Sequence, residues 1–302
     1  MAASDDARTL VIVGPTASGK SALGLELARR HPGTDIFSVD SMQVYRGMDI
    51  GTAKPSKAEQ QEVPHHLIDL VHAGDGFGVV DFQQAFVQAI ALVASRDRVP
   101  LLIGGTGLYL RAVVDGLAPP PRFPAIVEEL EMEPDTEALH RRLDGLDRLA
   151  ASRMEPTNRR RVIRALEVTL GTGSPFSSHG PGLDVYSEVP FRLVGIEIDR
   201  DEMDARIDVR YGEQMDSGFL AEVEALLDGP RGWSKTAAQA LGYKELALHL
   251  KGELTLSDAL ALAKQRTRRF ARRQQRWFRR DPRIEWLPAA GGPAAVADLI
   301  EA

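Results

Sequence analysis

The segment Gly14-Pro15-Thr16-Ala17-Ser18-Gly19-Lys20-Ser21 indicates the architecture of the core. It fits the pattern G-x-x-x-x-G-K-[ST], and it lies between an apolar run, Leu10–Val13, and a stretch with helical spacing, Ser21–Arg30. A glycine-rich turn between a strand and a helix lets successive backbone N–H groups point inward at an anion. The helix N-terminus adds a fixed partial positive charge. The stretch therefore predicts a loop that holds a di- or triphosphate.

Two side chains at the end of this loop have the chemistry that such a site needs. Lys20 supplies a mobile positive charge, and the Ser21 hydroxyl is placed to ligate a phosphate-bound Mg²⁺. The alternative is a chance glycine turn before a helix. The pattern predicts only that a phosphate group is held, and it does not say what is transferred.

Strand-like and helix-like patterns alternate around the loop. Apolar runs at Asp35–Val39 and Val99–Ile103 end in polar or glycine-rich turns, and Phe82–Ala94 between them has helical spacing. This alternation predicts an α/β fold: a P-loop NTPase-like parallel sheet core flanked by helices. A proline-rich break and a charged helical stretch interrupt it. We therefore expect the first part of the core at 1–119, a helical insertion domain at 120–188, and the second part of the core with a basic C-terminal helix at 189–302.

Composition excludes several classes of protein. The 302 residues are 43% apolar and 26% charged, which excludes a disordered or fibrous chain, and the absence of cysteine excludes disulfides and thiolate metal sites. Residues 1–8 lack the features of a secretion signal, and no apolar run approaches the roughly 20 residues that span a bilayer. We expect a cytoplasmic protein without membrane association, with a monomer as the simpler state.

Positive charge is concentrated in one segment. Residues 264–283 contain ten basic residues and one acid, so that this segment carries +9 while the rest of the chain carries −15. The segment is either a docking surface for phosphates or a solvated helix face paired with the acidic remainder. Its aromatic residues, Phe270, Trp277 and Phe278, either stack on bases or anchor the helix to the core.

Polar residues follow the two other predicted strands of the first core segment. Asp40 ends the second strand, and Gly104-Gly105-Thr106 ends the third. Ligands of open α/β sheets gather at this carboxyl edge. Position alone leaves three roles open for Asp40: a general base, a neighbour of the metal ligands, or a turn residue. Thr106 either offers its hydroxyl to an anionic oxygen or belongs to a tight strand-to-helix turn.

Eight blocks in order over nearly the whole chain resemble the tRNA dimethylallyltransferase family, also called tRNA isopentenyltransferases. The blocks are Gly14–Ser21, Asp40–Tyr45, Gly51–Pro55, Val63–Leu67, Gly104–Tyr109, Arg161–Val168, Gln239–Glu245 and Arg272–Arg279. The absence of cysteine excludes the C-terminal zinc finger of eukaryotic relatives, which implies a bacterial form. The chain departs from the family pattern at Arg148, Asn158 and Glu128, in the region of the predicted insertion.

The resemblance implies a reaction and its partners. A dimethylallyl group passes from dimethylallyl diphosphate to N6 of the adenosine immediately 3′ of the anticodon, in tRNAs that read codons starting with U, and diphosphate is released. The tRNA anticodon stem-loop is the implied partner and Mg²⁺ the implied cofactor. Because a stacked base hides N6 from the donor, we expect the adenosine to be flipped into a pocket.

The resemblance also implies residue roles. Asp40 takes the N6 proton as the new bond forms, while Thr106 and Arg210, with Arg206 as the alternate for Arg210, stabilise the leaving diphosphate bound by Gly14–Ser21. For the arginines, a place on a helix surface is the alternative. The implied tRNA-binding residues are Asp40, Ser41, Met42, Gln43, Thr106, Arg159, Arg160, Arg161, Val162, Ile163, Arg164, Arg272 and Arg273.

Two other functions share parts of this pattern. A P-loop small-molecule kinase would use the same loop and Mg²⁺ but has no need of the +9 segment. A non-catalytic RNA-binding module would leave Gly14–Ser21 and Asp40 unexplained. The adjacent His65 and His66 have no third histidine at metal-ligand spacing, so we interpret them as structural or substrate-channel residues.

Overall fold

The computed structural model describes residues 9–180 and 182–302. The expectation about the N-terminal segment therefore concerns residues outside the described ones. Contacts divide the chain into a core unit, which extends up to Asp115 and resumes at Glu188, and an insertion unit, Gly116–Ser187. The insertion predicted at 120–188 overlaps this second unit.

Six strands of the core unit form one parallel sheet. In spatial order they are β4 (His65–His66), β2 (Thr34–Val39), β6 (Val99–Gly104), β1 (Thr9–Val13), β7 (Phe191–Glu197) and β8 (Ile284–Pro288). Two short strands, β3 (Tyr45–Arg46) and β5 (Val71–His72), pair with each other in parallel. The predicted α/β class with a parallel sheet is confirmed.

Helices make up most of the remaining chain. Those of the core unit are α1 (Lys20–Arg30), α2 (Lys57–Glu62), α3 (Val79–Ala94), α4 (Gly107–Val114), α9 (Arg200–Asp216), α10 (Phe219–Leu227), α11 (Tyr243–Leu250), α12 (Leu256–Phe278) and α13 (Gly292–Glu301). Those of the insertion unit are α5 (Pro124–Glu131), α6 (Thr136–Leu146), α7 (Arg148–Ser152) and α8 (Arg159–Thr172). Within the described ranges, no helix combines the length and the apolar character that crossing a membrane requires.

The sheet is buried on both faces because successive strand residues point to opposite sides. Val11 and Val13 enter one apolar cluster together with Phe82 of α3, whereas Ile12 enters a second cluster with Leu23 of α1. All five side chains are no more than 2% exposed. This double packing fixes the strands, and with them the turns at their carboxyl ends.

Register brings three of these turns together. Val13 of β1 pairs with Gly104 of β6, and Val39 of β2 pairs with the same glycine. A Cβ on Gly104 would lie 2.4 Å from the Val39 carbonyl oxygen, so glycine is needed where the two strand ends approach. The segments that follow β1, β2 and β6 therefore leave the sheet side by side.

The insertion unit has its own apolar core. Leu143 of α6 and Val162 and Leu166 of α8 are fully buried in it. Glu167, which is 1% exposed, accepts a hydrogen bond from the backbone N–H of Phe123 at 2.8 Å. This contact holds the segment that enters the unit against α8.

Candidate functional site

The loop Gly14–Ser21 joins β1 to α1 and leaves several backbone donors for an anion. Gly19 adopts a φ of 93°, in the region that favours glycine, and α1 begins at the next residue. The N–H of Ser18 donates to the Pro15 carbonyl at 3.4 Å. The first N–H groups of α1 have no helical partner, so they are available to a phosphate at the positive end of the helix.

Lys20 lies against the loop that precedes it. Its Nζ donates to the Pro15 carbonyl oxygen at 2.5 Å and to the Ser18 Oγ at 3.4 Å. Burial, with a smaller contribution from the positive charge of Arg210, lowers the pKa of Lys20 to about 7, while Asp40 opposes this shift. An anion bound beside the ammonium group would raise that pKa again.

Two arginines of α9 face the same loop, one helical turn apart. Arg210 Nη1 donates to Thr16 Oγ1 at 3.0 Å, and Arg206 Nη1 donates to the Ala17 carbonyl at 3.4 Å. Arg206 also forms an ion pair with Glu202 at 2.6 Å. Burial lowers the pKa of Arg210 from its usual value. Arg210 therefore brings a positive charge to the loop that no described carboxylate neutralises in an ion pair.

Thr106 ties the turn after β6 to the turn after β2. Its Oγ1 accepts a hydrogen bond from the Ser41 N–H at 3.1 Å and donates to the Ser41 Oγ at 3.4 Å. Its own N–H donates to the Val39 carbonyl at 3.4 Å. The Thr106 hydroxyl thus connects the two turns, and it lies at the start of α4.

Asp40 is held by its own turn and keeps one oxygen free. Oδ1 accepts hydrogen bonds from the N–H groups of Met42 at 2.7 Å and Gln43 at 3.4 Å, whereas no described residue donates to Oδ2. Burial raises the pKa of Asp40 above the ordinary carboxyl range, although the two N–H groups and the charge of Lys20 oppose the shift. A fixed carboxylate with raised proton affinity suits a general base.

The side chains of Gln43 and Met42 contact other parts of the protein, whereas the resemblance implies that these residues contact tRNA. The buried carboxamide of Gln43 accepts a hydrogen bond from the Ser38 Oγ at 2.7 Å and donates to the carbonyl groups of Thr52 and Ala53. Met42 is half-buried against the core. The Gln43 side chain therefore holds the 51–55 loop, and a contact between Gln43 and a base would have to come from its backbone.

Ser21 and the histidine pair differ in what surrounds them. The Ser21 hydroxyl lies exposed in the first turn of α1 and has no hydrogen-bond partner among the described residues. His66 Nε2 lies 2.7 Å from Asp35 Oδ2, and His65 Nδ1 lies 2.7 Å from the Val63 carbonyl. The contacts of both histidines are structural contacts around strand β4.

The sequence patterns missed Gln274, which contacts two parts of the site. This α12 residue is 8% exposed, and its Oε1 accepts a hydrogen bond from the Thr16 N–H at 2.9 Å. Its Nε2 donates to the Gly105 carbonyl at 2.7 Å. Gln274 lies in the block Arg272–Arg279 that carries the family resemblance, but the resemblance assigned it no role. Its i, i+3 spacing from Ala271 on the buried helix face is the signal that could have indicated a buried side chain.

The basic residues of α12 fall into two groups. The first group forms ion pairs within the fold: Lys264 and Arg268 with Asp208, Arg272 with Asp204, and Arg266 with Glu245. The second group, Arg269, Arg273 and Arg276, is exposed, and no described carboxylate pairs with it. Together with Arg272 and Gln275 it lines a groove of about 550 Å³. Positive charge is therefore available along one side of the helix.

The aromatic residues of α12 mainly anchor the helix. Phe278 is 2% exposed within the core, and Trp277 lies against α4, where a Cβ on Gly107 would be 2.1 Å from its Nε1. The Arg273 guanidinium lies over the ring of Phe270, with its Cζ 5.8 Å from the ring centroid. Anchoring is thus the role of Trp277 and Phe278.

The insertion unit uses two of its four predicted arginines to hold its own fold. Arg164 pairs with Glu167 at 2.7 Å and donates to the Pro120 carbonyl at 2.6 Å. Arg159 donates to backbone carbonyls at the end of α5, including that of Glu133 at 2.6 Å. Two others, Arg160 and Arg161, are exposed and have no side-chain partner among the described residues.

Val162 and Ile163 lie on the buried face of α8, at 0% and 8% exposure. A contact between tRNA and these two residues would have to come from their backbone. Of the three departures from the family pattern, Asn158 caps α8 through its contact with the Arg161 N–H at 3.4 Å, whereas Arg148 and Glu128 are exposed and have no structural explanation.

Comparison with known proteins assigns the family. The family model described as IPP transferase matches residues 43–281. The chain belongs to the IPP transferase family. The chain is 44% identical to the tRNA dimethylallyltransferase of Desulforudis audaxviator over 95% of this chain and 94% of that one, and 43% identical to that of Streptomyces coelicolor over 97% and 93%. The resemblance found in the sequence is confirmed.

Solved structures support the same assignment. The full-length tRNA isopentenylpyrophosphate transferase of Bacillus halodurans matches with a TM-score of 0.69 and 37% identity, over 97% of this chain and 95% of that one. A eukaryotic dimethylallyltransferase acting on tRNA matches with a TM-score of 0.77 and 25% identity, over 94% and 74%. This member of the IPP transferase family therefore shares the fold of its relatives over almost its whole length.

Proposed function

We propose that this protein transfers a dimethylallyl group from dimethylallyl diphosphate to N6 of the adenosine immediately 3′ of a tRNA anticodon. The observation that carries the proposal is that one sheet edge holds both the glycine loop Gly14–Ser21, which opens α1, and the Asp40 carboxylate, whose Oδ2 has no described donor. Relatives that align with more than 90% of this chain are named tRNA dimethylallyltransferase. The reaction needs a stabilised diphosphate and a proton acceptor, and these groups supply both.

The diphosphate is the leaving group. Breaking the C1–O bond of the donor places negative charge on the bridging oxygen, and preorganised donors stabilise that charge as it develops. The N–H groups that open α1, the ammonium group of Lys20 and the guanidinium of Arg210 surround the loop where this charge would lie. Thr106 contributes by holding Ser41 and the adjoining turn.

Asp40 accepts the proton. N6 of adenine is a weak nucleophile because its lone pair is delocalised into the ring, and an ordinary carboxylate does not deprotonate it beforehand. As the bond from N6 to C1 forms, the N–H becomes strongly acidic, and Oδ2 of Asp40 takes that proton. The raised pKa of Asp40 makes it a better proton acceptor in this step.

Magnesium fits the loop through Ser21. Mg²⁺ prefers substrate phosphate oxygens together with one or two protein oxygens and water, and the exposed Ser21 hydroxyl is free to be such a ligand. Among the residues that the structure describes, no three histidine, aspartate or glutamate side chains are grouped to hold a metal. When bound, the ion would neutralise charge on the diphosphate.

The tRNA would be held through its phosphates. Exposed arginines without a described carboxylate partner occur on α8, at Arg160 and Arg161, and on α12, at Arg269, Arg273 and Arg276. Arginine side chains on phosphates supply most of the salt-dependent affinity for nucleic acids. We expect the protein to act as a monomer in the cytoplasm, where its tRNA substrate is found.

The test is mass spectrometry of nucleosides from unmodified tRNA incubated with protein, Mg²⁺ and dimethylallyl diphosphate. The wild type should yield N6-dimethylallyladenosine, and Asp40→Asn should lower turnover about 10²- to 10⁴-fold. Donor binding, measured by calorimetry, should survive in Asp40→Asn because the diphosphate contacts remain. Asp97→Asn, at an exposed aspartate that follows α3, is the matched control and should keep wild-type turnover.

Two outcomes would contradict the proposal at different points. Unchanged turnover in Asp40→Asn would exclude the carboxylate as the base. Consumption of ATP instead of dimethylallyl diphosphate, with no modified adenosine, would identify a small-molecule kinase and overturn the function itself.

A further inference from the structure

Gln274 is a polar side chain on the buried face of an otherwise arginine-rich helix. The buried residues of α12 are Ala259, Ala263, Thr267, Ala271, Gln274 and Phe278. A buried carboxamide is costly unless its oxygen and its nitrogen both find partners. Gln274 has both partners, and both are backbone groups of other segments: the Thr16 N–H and the Gly105 carbonyl.

These two partners belong to the two halves of the candidate site. Thr16 lies in the loop that would hold the diphosphate, and its hydroxyl accepts the hydrogen bond from Arg210. Gly105 directly precedes Thr106, which connects the turns after β6 and β2, and so leads to Ser41 and Asp40. One carboxamide therefore spans the leaving-group side and the proton-acceptor side.

The fit between Gln274 and Gly105 is tight. A Cβ on Gly105 would lie 2.5 Å from the Gln274 Nε2 and 3.4 Å from the Gly14 carbonyl oxygen. Glycine at 105 is thus the residue that admits the carboxamide between the turns. Because Gln274 also occupies the Thr16 N–H, this amide is removed from those that the loop can offer to an anion.

We propose that Gln274 is a positioning residue for prenyl transfer, whose carboxamide fixes the spacing between the diphosphate loop and the turn that carries Thr106. The inference rests on the proposed function. Displacement at C1 requires the leaving oxygen, the carbon and N6 to be in line, and a misplacement of about 1 Å can cost 10²-fold in rate. Both carboxamide contacts of Gln274 are to backbone groups of the protein, so it would act through Thr16 and Gly105.

The chemistry of the side chain separates the useful variants. Gln274→Met keeps the length but neither accepts from Thr16 nor donates to Gly105. Gln274→Glu still accepts from Thr16 but cannot donate to the Gly105 carbonyl, and it adds negative charge beside a site for an anion. Neither change touches the exposed arginines of α12, so tRNA affinity should be conserved.

The experiment measures kcat and the KM for each substrate with the full chain. Gln274→Met should lower kcat about 10- to 100-fold and leave the KM for tRNA within about twofold, and Gln274→Glu should also raise the KM for the donor. Gln265→Met is the matched control, because Gln265 is exposed on the same helix and has no described partner. It should behave as wild type.

A double-mutant cycle tests the contact itself. Gly105→Ala should reproduce the loss of kcat because its methyl group displaces the carboxamide. In a Gln274→Ala background the same change should cost less than about twofold, since the space is then open and the contact is already lost. If a Gln274 variant folds poorly, the kcat of Gly105→Ala alone, which keeps Gln274, still tests the contact.

The outcomes separate this inference from the function. If the wild type makes no N6-dimethylallyladenosine, the proposed function fails and the role of Gln274 fails with it. If Asp40→Asn loses turnover as expected but Gln274→Met keeps wild-type kcat, only the positioning role is overturned. A lowered melting temperature with unchanged kcat per folded molecule, or additive losses in the cycle, would overturn it too.

Discussion

The carboxyl edge of the sheet and the arginine-rich helices α8 and α12 use their polar side chains in different ways. At the edge, Lys20, Asp40 and Arg210 gather around one loop. Burial is the largest cause of the pKa shift of each, and the charges of Lys20 and Asp40 also act on each other. On the helices, some arginines form ion pairs within the protein and their neighbours do not. Arg164 is tied to Glu167 at 2.7 Å, whereas Arg161, three residues earlier, is exposed without a described side-chain partner.

The difference has a physical cause. The conformation of the loop Gly14–Ser21 is set by its backbone geometry, so the sequence pattern predicts the position of each of its residues. Arginine carries five N–H donors and is satisfied by any carboxylate or carbonyl within reach. A run of arginines therefore predicts a basic helix but does not indicate which guanidinium groups form ion pairs or hydrogen bonds within the protein.

Among the arginine variants, the largest expected effect lies at the edge and compares two arginines of one helix face. Arg210→Gln should lower kcat/KM for the donor about 10²- to 10³-fold, because it removes a charge aimed at the leaving group. Arg206→Gln should cost less, since Glu202 already neutralises Arg206 at 2.6 Å. Steady-state kinetics with excess tRNA measures both. Equal losses of kcat/KM in the two variants would show that the ion pair with Glu202 does not distinguish Arg206 from Arg210.

The pH dependence of activity tests the two titrating groups of the edge, Lys20 and Asp40. Lys20 has its pKa lowered to about 7 in the free protein, so protonated Lys20 is lost as pH rises through 7, and kcat/KM for the donor should fall about tenfold per pH unit above it. Bound diphosphate raises this pKa, so kcat should hold to higher pH. On the acid side, activity should fall as pH drops through the raised pKa of Asp40.

Lys20→Arg supplies the control for the alkaline side. A guanidinium stays charged across this range, so the fall of kcat/KM above pH 7 should disappear even if the maximum is lower. A flat wild-type profile between pH 7 and pH 9 would show that Lys20 does not hold the diphosphate as a titrating charge.

Much of the edge could be predicted from the sequence, because local patterns carry it. The β1 loop, the turn at Asp40 and the glycine turn at Thr106 each follow an apolar run, and parallel strands bring such ends to one edge. The roles of these residues remain predictions. Strand β8 was not predicted, because Ile284–Pro288 is short and contains charge and proline. Helix α13 was not predicted either; it follows the basic helix α12, which is therefore not the C-terminal helix that the sequence analysis expected.

Long-range partners could not be predicted. The sequence separation between Gln274 and Thr16 is 258 residues, and only the fold shows that the buried side of α12 meets the loop. Likewise, no local pattern tells that the Gln43 side chain holds the carbonyl groups of Thr52 and Ala53. Such contacts depend on tertiary packing, which propensity and spacing do not encode.

The smallest expected effect tests the arginine helices. Arg160→Ala and Arg161→Ala should each weaken tRNA binding a few-fold and reduce the salt dependence of the association constant by about one ion per lost phosphate contact. The melting temperature should not change, since neither guanidinium has a described partner. Filter binding between about 50 and 200 mM salt measures the slope.

Arg164→Ala is the matched contrast on the same helix. Removing it leaves Glu167, 1% exposed, without its 2.7 Å partner and frees the carbonyl groups of Pro120 and Pro121. The free energy of unfolding should therefore fall by about 1–3 kcal/mol while the salt slope of tRNA binding stays as in the wild type. A reduced slope with unchanged stability would mean that Arg164 leaves Glu167 to bind a phosphate. Ion pairs within α8 would then not distinguish the arginines that stabilise the fold from those that bind tRNA.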